Sequence, residues 1–366
     1  MPQTPYYLID ERRLRHNLET VQRVRDLSGA RSVLALKCFS AWSVFGLMRD
    51  YLDGVTCSSL FEARLGRDEF DKEVHAYSVA FAADEIAEVA AVADKVIFNS
   101  VSQLKAFGSA VAGRSVGLRV NPGVSYSHFD LADPARLHSR LGVSDEPSLR
   151  AVAPLLDGVM FHFNCENSDF DALATSVQHI VETYQWLLEQ VQWVSLGGGI
   201  AFTGEGYPLQ RFVELLRGLS SRFGVQIYLE PGEAVVTGCT ELVTTVLDVV
   251  HNGVDIAIVD ASLEAHMLDH LIYSTTPRLS YPGPGDNQMT IAGRTCLAGD
   301  VFGAHSMAEP LRVGSEVRFA DAGGYTMVKA NWFNGVGMPS IVVRRLDESI
   351  DVVREFDYAD FKGSLS

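Results

Sequence analysis

Residues 32–40 read SVLALKCFS, an apolar run that is interrupted by a single lysine. Val33 to Leu36 are typical of a short strand that is buried on both faces of a parallel sheet. We therefore expect a strand that ends at Lys37. An ammonium group in a buried strand is costly to desolvate unless it is paired or used chemically. The alternative is that the strand stops there and the long side chain reaches water.

Seven further segments share this short, apolar and β-branched pattern. They start near residues 54, 73, 94, 115, 158, 193 and 225, and they read GVTCSS, EVHAYSVA, DKVIFNS, SVGLRVNPG, GVMFHFNCEN, WVSLGGGI and VQIYLEPG. The stretches between them have helical spacing, and ALATSVQHIVETYQWLLEQ is the longest. Eight alternations of strand and helix predict a (β/α)8 TIM barrel over residues 26–234.

The pattern becomes strand-rich after residue 234. The segments ELVTTVLDVV, DIAIVDAS, EVRFADAG and PSIVVRRL predict a mostly-β domain over residues 235–366. Residues 1–25 form an N-terminal segment in which YYLID is strand-like, and we expect this strand to join the β domain. The predicted fold class is therefore α/β, a TIM barrel followed by a C-terminal mostly-β domain.

Composition limits the classes of function. The chain has 366 residues, 47% of them hydrophobic, and a formal net charge of −16. Such acidity argues against a nucleic-acid partner and is compatible with a cationic small-molecule substrate. No apolar run approaches the roughly 20 residues of a membrane span, the N-terminus lacks a targeting pattern, and the five cysteines form no C-x-x-C pair. We expect a cytoplasmic protein that contacts no membrane.

Polar residues follow several of the predicted barrel strands. In TIM barrels the chemistry gathers where the strands end, so these side chains are expected to share one mouth. The residues are Lys37, Arg119, His162, Gly197, Gly198, Gly199 and Glu230.

The types of these residues indicate a cofactor. The LGGGI run can bring backbone N–H groups to a phosphate, although a flexible turn is the alternative. Phe202 replaces the third glycine of the dinucleotide fingerprint, and no P-loop occurs. His162, Cys165 and Glu166 could be read as a metal cluster, but no further ligands with suitable spacing stand out, and we predict no metal. A lysine, a phosphate site, a stacking histidine and a carboxylate together describe a pyridoxal 5'-phosphate site.

Several strings resemble a known family over essentially the whole chain. They are LALKCFS, FHFNCEN, SLGGGI, LEPGEA, EAHMLD, CLAGD and AGGYTMVKANWFNG. In order and spacing they are similar to those of the alanine racemase-like, fold III pyridoxal phosphate decarboxylases of basic amino acids. The match is best with the branch that acts on carboxynorspermidine and carboxyspermidine. The resemblance implies that the chain releases CO2 from one or both of these substrates to give norspermidine or spermidine, a step of polyamine biosynthesis.

The resemblance also implies roles for individual residues. Lys37 would bind the cofactor covalently, His162 would pack on its ring and Glu230 would hold the ring nitrogen. The glycine run and Tyr325 would bind the phosphate, and we place Arg119 among the cofactor-binding residues. The family forms homodimers with shared sites, so Cys296, a candidate proton donor, and Asp300 would reach a neighbouring subunit's site. Glu233 and Asp269 would pair with amines of the substrate.

Three positions depart from the wider ornithine and diaminopimelate decarboxylase pattern. Glu233 stands where arginine is usual after EPG, Cys165 stands near a usual phosphate-binding serine, and Leu297 follows Cys296 where aspartate is usual. These departures argue against ornithine or diaminopimelate as the substrate. The alternatives are a decarboxylase of ornithine, arginine or diaminopimelate, and a catalytically silent relative of the fold.

Overall fold

The first strand, β1 (Tyr6–Asp10), is buried along its whole length and leads directly into helix α1 (Glu11–Ser28). The structure is a computed structural model and describes residues 2–366. It separates into two units. One unit contains the residues up to His16 together with Val236–Ser366, and the other contains Asn17–Val235.

The second unit is a closed barrel of eight parallel strands, each paired with the next. The strands are β2 (Arg31–Ala35), β3 (Gly54–Cys57), β4 (Glu73–Tyr77), β5 (Lys95–Phe98), β6 (Ser115–Arg119), β7 (Gly158–Met160), β8 (Trp193–Ser195) and β9 (Gln226–Leu229). Each lies within or overlaps one of the eight apolar segments, so the predicted (β/α)8 barrel is confirmed.

Helices connect the barrel strands. They are α2 (Phe45–Met48), α3 (Leu60–Leu65), α4 (Ile86–Val92), α5 (Val101–Phe107), α6 (Glu146–Val152), α7 (Phe170–Leu188), α8 (Leu209–Phe223) and α9 (Glu233–Val236). Side-chain caps begin several of them. The Ser59 hydroxyl accepts the Glu62 N–H at 3.2 Å, and the Asp169 carboxylate accepts the N–H groups of Asp171 and Ala172. The predicted longest helix is α7, and it is the longest of those described.

Side chains fill the interior of the barrel and close its amino-terminal end. At that end the Glu73 carboxylate pairs with Lys95 and accepts the Tyr228 hydroxyl at 3.1 Å. The Lys95 ammonium lies 4.8 Å from the centre of the Tyr228 ring. An apolar cluster of Val33, Tyr77, Ile97, Met160, Trp193 and Tyr228 fills more of the interior. The inside of the barrel is therefore a packed core.

The other unit is a mixed sheet. Its strands after the barrel are β10 (Thr240–His251), β11 (Asp255–Val259), β12 (Leu279–Tyr281), β13 (Asn287–Ala292), β14 (Val301–Met307), β15 (Glu316–Phe319), β16 (Ser340–Arg344) and β17 (Ile350–Arg354). The order is β14-β13-β11-β10-β1-β16-β17, and β15 pairs with β10 and β12. Strand β1 lies antiparallel to β10 and parallel to β16. Short helices are α10 (Leu263–His266), α11 (Leu268–Ile272) and α12 (Tyr358–Gly363).

The core of this unit contains a stacked aromatic pair, Phe302 and Phe319, with ring centres 4.2 Å apart. Between residues 2 and 366, no helix combines the length and the apolar character needed to span a bilayer.

Candidate active site

A pocket lies at the carboxyl ends of the barrel strands. Its volume is about 290 Å³ when the solvent at its mouth is included. The lining residues are Lys37, Thr56, Ser58, Tyr77, Arg119, Met160, His162 and Glu230. Four of the predicted site residues, Lys37, Arg119, His162 and Glu230, are thus brought together in one place.

Lys37 does not lie within a buried strand. Strand β2 ends at Ala35, and a turn follows in which the Cys38 N–H donates to the Ala35 carbonyl at 3.0 Å. The Lys37 side chain is exposed and faces the pocket. The prediction that the strand ends at Lys37 is therefore wrong, because it ends two residues earlier, at Ala35.

The surroundings of Lys37 favour its uncharged form. Although the side chain reaches solvent through the pocket, the barrel walls separate it from bulk water, and this desolvation lowers the pKa of the amine. The nearby positive charge of Arg119 lowers the pKa further, whereas Glu230 opposes the shift. A larger fraction of the amine is thus available as a nucleophile at a given pH.

Glu230 is a buried carboxylate held by two hydroxyl groups. The Ser195 hydroxyl donates to Oε1 at 2.5 Å, and the Thr56 hydroxyl donates to Oε2 at 3.4 Å. Only 8% of the residue is exposed. A carboxylate fixed in this way can stabilise a proton on a nitrogen atom of a bound group.

His162 is held as a neutral ring. Its Nδ1 accepts the backbone N–H of Gly198 at 3.1 Å, so the proton of the neutral ring belongs on Nε2. Desolvation, together with the charges of Lys37 and Arg119, places the pKa of His162 well below its usual 6.5. A neutral imidazole in the pocket wall offers a flat face on which a planar group can pack.

The glycine run is required by close packing within the barrel. A Cβ atom at Gly197 would lie 2.4 Å from His162 Nδ1, and one at Gly198 would lie 2.3 Å from the Glu230 carbonyl oxygen. The Gly197 N–H donates to Ser195 Oγ and the Gly198 N–H to His162. Among the hydrogen bonds of residues 2–366, Gly199 is the one member of the run whose N–H has no acceptor. Phosphate binding by the run stays a prediction, and Gly199 is the member best able to contribute.

The remaining predicted site residues lie elsewhere in the chain. Glu233 is half-buried and begins α9. In the sheet unit, the Asp269 carboxylate pairs with Lys329, whose ammonium lies 5.3 Å from the centre of the Tyr325 ring. Cys296 is exposed, and its N–H donates to Asn334 Oδ1 at 2.6 Å.

Asp300 is buried, and its carboxylate accepts three hydrogen bonds inside the sheet unit. Oδ1 accepts the Leu263 N–H at 2.7 Å, and Oδ2 accepts both the N–H and the hydroxyl of Thr295 at 3.0 and 2.6 Å. These bonds fix the turn that carries Cys296. Three of its roughly four acceptor sites are thus occupied, and the substrate-binding role expected from the sequence stays a prediction.

Comparisons with known proteins identify the family. Residues 83–323 match the family model described as pyridoxal-dependent decarboxylase, C-terminal sheet domain. The chain belongs to the pyridoxal-dependent decarboxylases.

Full-length relatives narrow the position within this family. A Herminiimonas arsenicoxydans protein named carboxynorspermidine/carboxyspermidine decarboxylase is 51% identical over 366 residues, which cover 100% of both chains. A Synechocystis protein named carboxyaminopropylagmatine decarboxylase is 32% identical over 99% of this chain and 95% of its own. The crystal structure of carboxynorspermidine decarboxylase from Campylobacter jejuni, complexed with norspermidine, superposes with a TM-score of 0.92 at 35% identity, covering 99% of this chain and 100% of that one.

The pocket fits the cofactor of these decarboxylases. The fit rests on the amine of Lys37, the buried carboxylate of Glu230, the neutral ring of His162 and the Gly199 N–H. A metal centre finds no such support, because no group of three or more histidine, cysteine or acidic residues within 2–366 is arranged to hold an ion.

Several site residues escape the sequence reasoning. Tyr77 and Ser195 are the last residues of β4 and β8, and Thr56 lies near the end of β3. Position at or near the end of a barrel strand identifies His162 and Glu230 in the sequence, and the same criterion would identify Tyr77, Ser195 and Thr56. Glu62, whose pKa is raised by burial, was likewise missed, and its charge acts on Lys37.

Proposed function

We propose that this chain decarboxylates carboxynorspermidine, carboxyspermidine or both, giving norspermidine or spermidine and CO2 in polyamine biosynthesis. The observation that carries the proposal is the pocket in which an amine of lowered pKa, a buried carboxylate and a neutral histidine face one another. The choice of substrate is supported by the full-length identity of 51% to a relative with that name. The cytoplasmic location stays a prediction, supported by five free cysteines.

In this proposal the barrel residues hold and tune pyridoxal phosphate. Lys37 provides the amine that binds it, and His162 packs on its ring. Glu230, fixed by the Ser195 and Thr56 hydroxyls, holds a proton at the ring nitrogen. Gly199 contributes an N–H to the phosphate, and Tyr325 is a further phosphate ligand. When bound, the cofactor accepts the electron pair that remains on the α-carbon as CO2 departs.

Substrate recognition is assigned to acidic residues and proton return to a thiol. Glu233 and Asp269 pair with the remote amines of the substrate. Asp269 must first release Lys329, so the substrate competes with an internal cation at this position. Cys296, whose side chain is exposed, donates the proton to the α-carbon.

A substrate panel tests the reaction. Purified protein is incubated with carboxynorspermidine, carboxyspermidine, carboxyaminopropylagmatine, diaminopimelate and ornithine, and amine products are measured by mass spectrometry. We expect norspermidine or spermidine from one or both of the first two and at least about tenfold lower kcat/KM for the others, because their remote cationic groups differ in type or in distance from the α-carbon and fit the charged contacts less well. Preferential turnover of diaminopimelate or ornithine would contradict the proposal.

Borohydride reduction tests the attachment site independently of turnover. Reduction of the cofactor-loaded protein, followed by peptide mapping, should label Lys37, and Lys37→Ala should abolish the label. Lys329→Ala and Lys105→Ala serve as controls that retain it. Label on either control lysine in the wild type would show that the pocket is misassigned.

The proposed assembly is a two-fold homodimer in which Cys296 serves the partner's site. If each site takes Lys37 from one chain and Cys296 from the other, a heterodimer of Lys37→Ala with Cys296→Ala contains one intact site. Random exchange makes half of the dimers heterodimers, so the mixture should recover about one quarter of wild-type activity. Confirmed heterodimers without recovered activity would place both residues in the same chain's site, or Cys296 outside it.

A further inference from the structure

A buried amide joins a long loop to the wall of the pocket. Asn99 directly follows strand β5 and is 6% exposed. Its Oδ1 accepts the Tyr77 hydroxyl at 2.9 Å and the Gly142 N–H at 2.8 Å, and its Nδ2 donates to the Arg140 carbonyl at 2.9 Å. One side chain thus makes three hydrogen bonds, one to strand β4 and two to the segment that contains Arg140 and Gly142.

Tyr77 connects Asn99 to Arg119 by hydrogen bonds to both side chains. The Tyr77 hydroxyl accepts a hydrogen bond from Arg119 Nη1 at 2.9 Å, and the guanidinium carbon lies 5.2 Å from the centre of the tyrosine ring. Arg119 Nη2 also donates to the His162 carbonyl at 3.4 Å. Burial raises the pKa of Tyr77, so the hydroxyl keeps its proton and can donate to Asn99 while it accepts from Arg119.

The other end of the connection is the loop between β6 and α6. This loop starts after Arg119 and ends before α6, so it covers residues 120–145. Arg140 and Gly142 lie near its closing end, and both are bonded to Asn99. Apart from a short 3-10 helix at Asp130–Ala132 the loop contains no helix or strand, and loops of this length are uncommon in compact domains and usually have a function.

We infer that Asn99 and Tyr77 are positioning residues, which hold Arg119 against the pocket and couple its position to the closing end of the loop 120–145. Neither residue needs to touch the substrate for this role. The inference rests on the proposed function only in treating Lys37 as the amine that binds the cofactor.

The position of Arg119 matters because its charge acts on Lys37. After desolvation, Arg119 is the largest influence that lowers the pKa of Lys37, whereas Glu230, Cys38 and Glu62 act in the opposite direction. Arg119 and Lys37 also both act on His162. If Arg119 moves away, protonation at the Lys37 nitrogen becomes easier, so a pH titration of the cofactor attached there reports where the arginine is.

The test is a spectral pH titration of the cofactor-loaded protein. The absorbance of pyridoxal phosphate bound through Lys37 is followed against pH for wild type, Tyr77→Phe, Asn99→Ala and the double variant. We expect each single variant to raise the midpoint by about 0.5–1 pH unit, because Arg119 is no longer held and its charge moves away from Lys37. The double variant should show no more than the larger single shift, since both changes act through Arg119.

Tyr184→Phe is the matched control. Tyr184 is also buried, and its hydroxyl donates to the Asn121 carbonyl at 3.3 Å, at the opening end of the same loop. The control removes the same hydroxyl and a bond to the same loop without touching Arg119. Its midpoint should equal that of wild type. Unchanged midpoints in Tyr77→Phe and Asn99→Ala, with only a lower melting temperature, would overturn the inference.

Hydrogen exchange adds a second measurement. Asn99→Ala should speed amide exchange in residues 139–145, whereas Tyr77→Phe leaves the bonds from Asn99 to Arg140 and Gly142 in place. Equal exchange in wild type and Asn99→Ala would show that the loop is not anchored by this amide. The titration does not depend on turnover, so it separates the two proposals. A wild type without a cofactor band at Lys37 overturns the proposed site, and a band whose midpoint does not move overturns only the positioning role.

Discussion

The hydroxyl of Ser195 donates to Glu230 across 2.5 Å, and the same oxygen accepts the Gly197 N–H at 3.1 Å. Ser195 therefore joins the buried carboxylate to the glycine run. A carboxylate that is buried must keep such donors to offset the loss of water, and their removal changes both its energy and its orientation.

We expect Ser195→Ala to weaken cofactor binding by about one to two orders of magnitude, because a hydrogen bond to a charged group is worth about 1.5–3 kcal/mol. The dissociation constant of pyridoxal phosphate, measured by fluorescence on cofactor-free protein, checks this. Ser220→Ala is the control, since it also loses a short bond, to the Val225 carbonyl at 2.6 Å, but lies on α8. Equal constants in all three proteins would mean that Glu230 does not depend on Ser195.

Gly198→Ala should damage the pocket by displacing backbone. Its Cβ would lie 2.3 Å from the Glu230 carbonyl oxygen, and main-chain atoms cannot move aside cheaply. We expect a loss of more than about 2 kcal/mol in the free energy of unfolding, together with weaker cofactor binding. Gly218→Ala is the control, because no atom lies within 4 Å of that Cβ, and within helix α8 it should stabilise by up to about 1 kcal/mol. Similar urea denaturation midpoints for the two variants would refute the clash.

His266 should make the protein sensitive to acid. The ring is fully buried, and desolvation lowers the pKa of His266 to about 4, with Asp300 acting in the opposite direction. Below pH 6.5 the imidazole of His266 is protonated in the unfolded chain but stays neutral in the folded chain. The free energy of unfolding therefore falls as the pH drops from 6.5 towards 4. Asn at this position can still accept the Ser262 N–H, which His266 accepts through Nδ1.

We therefore expect His266→Asn to remove about 3 kcal/mol of the acid-induced loss of unfolding free energy. Urea denaturation at several pH values between 4 and 7 measures the slope, and the slope rather than the absolute stability is compared, since Asn also leaves a small cavity. An identical slope in wild type and variant would show that His266 takes up its proton without unfolding.

Asp300→Ala distinguishes a positioning role from substrate binding. The change removes the acceptor for Leu263 and Thr295, so we expect a loss of more than about 2 kcal/mol in unfolding free energy and a changed rate of Cys296 alkylation. Alkylation by iodoacetamide, followed by mass spectrometry, measures the thiol directly. Asp286→Ala, at an exposed position, is the control and should change neither quantity. A variant with normal stability and alkylation but a raised KM would support the substrate-binding role.

The barrel could be predicted from the sequence because its strands are buried on both faces and are therefore continuous apolar runs. The sheet unit was harder. Strand β14, VFGAHSM, alternates buried and exposed residues and contains glycine, and it lies at an edge of the sheet. Strand β17 lies at the other edge and is largely exposed. Neither strand has the continuous apolar run that marks a barrel strand, so neither was expected individually.

The site was predicted unevenly for a similar reason. Lys37, His162 and Glu230 are unusual residues at the ends of apolar strands, whereas Tyr77 and Thr56 resemble ordinary core residues. Asp300 shows a different limit. Its partner Leu263 lies far away in the sequence and donates through its backbone N–H. Since nearly every residue has such a group, the residue type does not indicate the bond. Only the folded chain reveals that this carboxylate is already engaged.

The strand order of the sheet unit has a consequence for synthesis on the ribosome. Strand β1 is translated before the barrel, yet its partners β10 and β16 are translated only after it. Its five residues, buried in the folded protein, therefore have no strand partner while the barrel is being translated. Non-local pairing of this kind slows folding. A protein stopped short of β16 would leave β1 without one of its two neighbours.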